Sequence, residues 1–221
     1  MCNWQISVTF AKEHFFYKMK KLNQYIFKRR VSKFLKETGR TKRYVDYRNA
    51  NTILLLFESD YIEKNRFIRK AIELLTVDGK KVFAWGFLDK KMTSTAILPT
   101  FKILDRSSID WFGCPKAPYL KELMENEYDM LIDLTLSDNL PLQYACLYAN
   151  ASLKTGESRS MDEILDFVIK IPQPDPQEMP ENDEERRKIE FQDLNESLFH
   201  TDQQYLFEQL IFYLKKIKTN D

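Results

Sequence analysis

Histidine is nearly absent from this chain, with only His14 and His200 in 221 residues. Neither falls in the central stretch where strand and helix patterns alternate. A Ser-His-Asp or Cys-His site in the core is therefore excluded, as is a histidine-ligated zinc. Glycine is scarce too. Gly39, Gly79, Gly86, Gly113 and Gly156 are the five, and no two stand in a GxGxxG or GxxxxGK frame, so no backbone cradle for a pyrophosphate is expected. Cys2, Cys114 and Cys146 are odd in number, widely spaced and without a CxxC pair. That argues against a disulfide framework or a zinc knuckle and for reduced thiols. Long apolar runs are missing: Ile53 to Phe57 is typical, far below the ~20 residues that span a bilayer. The first 30 residues hold no apolar run of h-region length. A cytoplasmic location is the expectation. The net charge of +1 favours neither an overall polyanion binder nor an acidic tail protein.

What is present is a globular profile, 43% hydrophobic and 30% charged, in a length that suits one ordinary domain with extensions. Three zones are apparent. Residues 1–48 carry 13 Lys or Arg against three acids. In that zone Phe15, Met19, Leu22 and Ile26, then Phe27, Val31, Phe34 and Leu35, recur at helical spacing, which predicts a basic amphipathic helix. Within it Gln5 to Phe10 reads as an added edge strand or as an overlong start. The second is favoured, with Met19 as the natural beginning and the residues before it dispensable.

Residues 49–171 predict a Rossmann-like α/β core. Thr52 to Phe57 is a continuous apolar run, the mark of a strand covered on both faces. A helical face follows from Asn65 to Val77, then a turn at Asp78-Gly79, then a strand at Lys81 to Phe87. A helix from about Pro118 to Glu127 leads to a third buried strand, Tyr128 to Leu134. Leu140 to Asn150 reads as a helix with Pro141 in its first turn. Ala151 to Thr155 is a short strand and Ile164 to Ile171 another. An edge strand is placed near Ala96 to Leu104. Strand–helix–strand repetition implies right-handed crossovers and a mostly parallel sheet of five or six strands in three layers, with helical extensions at both ends. Residues 172–202 form an acidic, proline-rich linker. From Asp175 to Glu208 there are 11 acids against three bases. Residues 203–221 carry a closing amphipathic helix, with Leu206, Leu210, Tyr213, Leu214 and Ile217 on the face expected to dock on the core.

The run Trp111-Phe-Gly-Cys-Pro-Lys116, with Tyr128 to Leu134, Leu140-Pro-Leu-Gln-Tyr144 and Ala151-Ser-Leu-Lys-Thr-Gly156, resembles a bacterial family whose function is unknown. The resemblance spans roughly Lys20 to Ile217. It implies the α/β fold and no catalytic residues. Tyr128 to Leu134 with the following polar turn, helix and Lys154-Thr-Gly156 is also similar to the N-terminal half of heptosyltransferase-like glycosyltransferases. In those enzymes the nucleotide-sugar sits mainly on the C-terminal half, for which this chain has no room.

In an open α/β sheet, ligands sit beyond the C-terminal strand ends. Those ends carry the candidate ligand-binding residues Ser59, Asp60, Asp133, Thr135, Ser137, Asp138 and Asn139. Paired carboxylates there suit metal binding or acid–base work. The competing and favoured expectation is that Ser137, Asp138 and Asn139 cap the helix beginning near Pro141. Cys114, in a Gly-Cys-Pro loop, is a poor nucleophile candidate for want of a partner with a tunable pKa. Ser137-Asp-Asn139 and Lys154-Thr-Gly156 match two penicillin-binding motifs, but the SxxK nucleophile is absent and the two lie 17 residues apart. No cofactor and no metal is expected. The leading expectation is a non-enzymatic accessory or interaction protein. The alternative is a sugar- or nucleotide-binding protein or enzyme. A protein partner is one expectation. The basic helix adds two others, an anionic membrane surface or nucleic-acid phosphates, but the favoured expectation is that its apolar face packs on the sheet while its charges face water.

Overall fold

The computed structural model describes residues 3–38, 44–59, 63–89, 101–159, 162–170 and 203–217, with side chains in the first helix described from Met19 onward. Six strands form one open sheet: β1 (Thr52–Glu58), β2 (Lys81–Phe87), β3 (Phe101–Leu104), β4 (Glu127–Asp133), β5 (Asn150–Glu157) and β6 (Phe167–Ile169). Their spatial order is β3-β2-β1-β4-β5-β6, and every neighbouring pair is parallel. Among the described residues five helices accompany them: α1 (Asn3–Thr38), α2 (Glu63–Val77), α3 (Ala117–Glu125), α4 (Leu140–Tyr148) and α5 (Gln203–Lys216).

The alternation of side chains along each strand builds two cores. Leu54, Leu56, Trp85, Phe87 and Leu131 point to the face covered by α1, α3 and α4. Ile53, Leu55, Phe57, Ala84 and Ile132 point to the face covered by α2 and α5. Both faces of β1 and β4 are dry, which is why their sequences run apolar without alternation. The result is a three-layer α/β sandwich of Rossmann-like type, with α1 and α5 as parts of its layers. Among the described residues, no helix is long and apolar enough to cross a membrane.

Two segments differ from the sequence reading. Gln5 to Phe10 is not an edge strand. It lies in α1, which runs unbroken from Asn3 to Thr38. α1 stops there, ten residues before the end of the basic zone. Its contact stripe is also narrower than the hydrophobic pattern suggests. Phe27 and Val31 are buried, Phe34 and Leu35 pack partly, and Leu22 is 45% exposed. In α5 the docked face is Leu206, Phe207, Leu210 and Leu214, whereas Tyr213 faces outward. The expected edge strand is Phe101–Leu104, and residues 90–100 fall outside the described residues. So does the whole acidic linker, residues 172–202.

Candidate functional site

β1 and β4 are the central neighbours, paired in register as Leu54 with Leu131 and Leu55 with Ile132. From β1 the chain turns to α2 on one face, and from β4 to α4 on the other. The two loops therefore diverge and leave a crevice at the strand ends, the position where such sheets commonly bind ligands.

Asp133 closes β4 and is 3% exposed. Its Oδ1 accepts from the backbone N–H of Thr135 at 3.0 Å and from Thr135 Oγ1 at 2.6 Å, a tight turn locked by its own hydroxyl. Its Oδ2 is paired with the guanidinium of Arg159, whose other arm reaches the carbonyl of Ser137 at 2.7 Å. Arg159 sits just after β5. Burial opposes its charge, but the adjacent Asp133 carboxylate more than offsets this, so its pKa is held above the ordinary arginine value. Burial likewise pushes the neighbouring Glu157 carboxyl upward, partly countered by Arg159. The loop that presents Arg159 is itself clamped: Asp162 accepts from the Arg159 backbone N–H at 2.7 Å and from Ser158 Oγ at 2.7 Å. Gly156 stands opposite because a Cβ there would lie 3.2 Å from that of Asp133.

The remaining candidates divide. Ser137 bonds the carboxylate of Glu58 through both its N–H and its hydroxyl, tying the β4 loop to the end of β1. The Ser59 N–H donates to the Phe87 carbonyl at 2.9 Å, tying the end of β1 to β2. Asp60 lies outside the described residues. Asn139 is the N-cap of α4, accepting from the Leu142 N–H at 3.4 Å. Asp138 accepts from the Gln143 side chain at 3.1 Å. Of the three residues expected to cap α4, Asn139 takes that role and the other two cross-link the turn.

A pocket of about 530 Å³ opens beside this crevice. Ser137, Asp138 and Asn139 line one wall and Phe87 contributes from β2, while Lys20, Asn23 and Gln24 of α1 face them. Ser59, Asp133 and Thr135 do not line it. Asn23 donates to the Trp111 carbonyl at 3.5 Å and leaves its Oδ1 buried without a partner among the described residues. Sequence reasoning missed Arg159 and the α1 wall. The one available signal was that the helical stripe continues through Met19 and Asn23 on the core side of α1.

Two further candidates are resolved by burial. Cys114 is 3% exposed, and burial pushes its thiol up to about 11, so it is held as an inert thiol. Lys154 is 2% exposed and donates to the carbonyls of Cys146 and Leu147 at 2.6 and 2.9 Å. Its ammonium closes the C-terminal end of α4, where the helix dipole favours positive charge.

Fold and crevice together define a Rossmann-like α/β domain whose central strand-end carboxylates are held by other protein groups. The chain belongs to the family of unknown function DUF6913, whose model matches residues 21–182. No curated protein and no solved structure matches it.

Proposed function

We propose that this is a non-enzymatic accessory or interaction protein acting in the bacterial cytosol. The observation that carries the reading is the pairing of Asp133 with Arg159, joined by that of Glu58 with Ser137. A carboxylate that serves as general base or metal ligand must offer its oxygens to a substrate or ion. Here both oxygens of Asp133 are taken by protein donors inside the fold. The second reading, a sugar or nucleotide ligand, has one observation in its favour: the pocket between α1 and the β4–α4 turn, with the unpartnered Asn23 Oδ1 on its wall.

A thermal-shift screen against nucleotides, nucleotide-sugars and divalent cations separates the two. A ligand present at a hundred times its Kd adds about 2.7 kcal/mol, or roughly 5 to 10 °C for a chain of this size. No shift is expected on the first reading. A shift abolished by Asn23→Ala would replace it with the second.

A further inference from the structure

We propose that the outward face of α1, flanked by Trp111, is a docking surface for single-stranded nucleic acid. This rests on the interaction-protein reading and names the partner's chemistry. From Met19 to Thr38 the helix has seven Lys or Arg and one acid, Glu37. Its inward positions, Phe27 and Val31, are buried in the core. Lys28, Arg29, Lys33 and Lys36 are exposed on the other side. A helix face whose charges serve only solvation mixes signs, because like charges four residues apart destabilise it. Here Arg29 and Lys33 are such a like pair. Among the described residues, the pairing that relieves them, Lys33 with Glu37 at 3.7 Å, is 74% and 64% exposed and correspondingly weak.

The stripe from Lys28 to Lys36 covers about 12 Å of helix axis. That length matches roughly three phosphates of a stacked strand. Aromatic rings accompany the charge. Tyr25 is 55% exposed with the Arg29 guanidinium 5.3 Å from its ring centre, and Trp111, 75% exposed, meets the edge of the helix through its carbonyl, which accepts from the Asn23 side chain. Rings combined with cations stack unpaired bases while tracking the backbone. An anionic bilayer fits less well. A helix lying in a membrane interface buries its apolar stripe in lipid, and that stripe is held in the core, with Phe27 packed edge-on against Tyr144 at 4.6 Å. Among the described residues, the outward face offers a bilayer Leu22 and Tyr25 as large apolar groups.

The test is fluorescence anisotropy of the full chain with labelled, mixed-sequence single-stranded RNA and DNA. Duplexes of the same sequence and flotation with phosphatidylglycerol vesicles run beside it. Single strands are expected to bind, with affinity falling as salt rises. The triple variant Lys28→Gln, Arg29→Gln, Lys33→Gln should bind about tenfold more weakly, and its log–log salt slope should fall by about 2, at ~0.7 for each phosphate no longer neutralised. Tyr25→Ala and Trp111→Ala should weaken binding several-fold and leave the slope unchanged. All these side chains are exposed, so melting temperatures should match the wild type. No single-strand binding at low salt, undiminished binding by the triple variant, preference for duplex, or flotation in place of RNA binding would each overturn the proposal. A protein that binds neither strands nor small ligands would sink this proposal and leave the interaction reading standing. A small-ligand shift would sink that reading instead.

Discussion

Arg159 and Asp133 form an ion pair with side chains 13% and 4% exposed, joining the loop after β5 to the end of β4. The pair also carries the Ser137 carbonyl, so one guanidinium holds two loops of the crevice. Removing one partner of a buried pair leaves an uncompensated charge, at a cost of about 3–5 kcal/mol. Arg159→Met should therefore lower the melting temperature by roughly 10 °C or more. Chemical denaturation checks it. A loss below about 1 kcal/mol would show that water reaches Asp133 and that the crevice is looser than described.

Lys154 should behave differently. Its ammonium serves two carbonyls of α4. Lys154→Met should cost about 2–3 kcal/mol, the worth of hydrogen bonds to a charged donor. Lys154→Arg should be no better, because the larger fork has no space in a site 2% exposed. Urea midpoints of the two variants decide. Wild-type stability in the methionine variant would remove the capping role.

These two pairings mark what was legible in the sequence and what was not. β1, β2 and β4 were readable because burial on both faces forces unbroken apolar runs. Leu54, Leu56, Val82, Leu131, Ile132 and Leu134 are all buried as those runs require. β5 was readable only as a short strand, because it hides a lysine whose partners are helix carbonyls that no local pattern reveals. Asp133 and Ser137 stood out as strand-end polar residues. Their partners Arg159 and Glu58 lie 26 and 79 positions away in the chain. They meet only through the parallel order of β1, β4 and β5. Leu22 was misplaced for a related reason: a helix carrying apolar residues on more than one side does not declare which side docks.

Gly86, in β2, tests how tightly the sheet is packed under α2 and α5. A Cβ there would lie 2.6 Å from Phe57 Cζ and 2.7 Å from Ile103 Cδ1. Gly86→Ala must push both side chains aside, and overpacking of this kind costs about 1–3 kcal/mol. The compensating variant Gly86→Ala with Ile103→Val should recover part of that loss. Unchanged unfolding of the single variant would mean that Phe57 and Ile103 have room to move.

Asp78 ties α5 to the body of the fold and gives stability a defined dependence on pH. Its Oδ2 receives Lys215 Nζ at 2.7 Å and the Tyr47 hydroxyl at 2.7 Å, while Lys80 and Lys215 both lie over the Tyr47 ring. These donors, Lys215 first and Tyr47 next, hold the carboxyl below its ordinary value. A carboxyl depressed on folding stabilises the native state above its unfolded pKa, about 3.9. That contribution fades as pH falls from there through the lower folded value, because the unfolded chain takes up the proton first. The site is about one-third exposed, so the term is worth less than ~1 kcal/mol. Asp78→Asn should lose that increment at neutral pH and show a flatter acid limb in stability measured from pH 6 down to about 2. Lys215→Met should flatten the same limb. It also removes a cation from the Tyr47 ring, so it should cost somewhat more at pH 7. If both variants keep the wild-type slope below pH 4, the acid sensitivity of the chain resides elsewhere and the Asp78–Lys215 contact does not hold α5 in place.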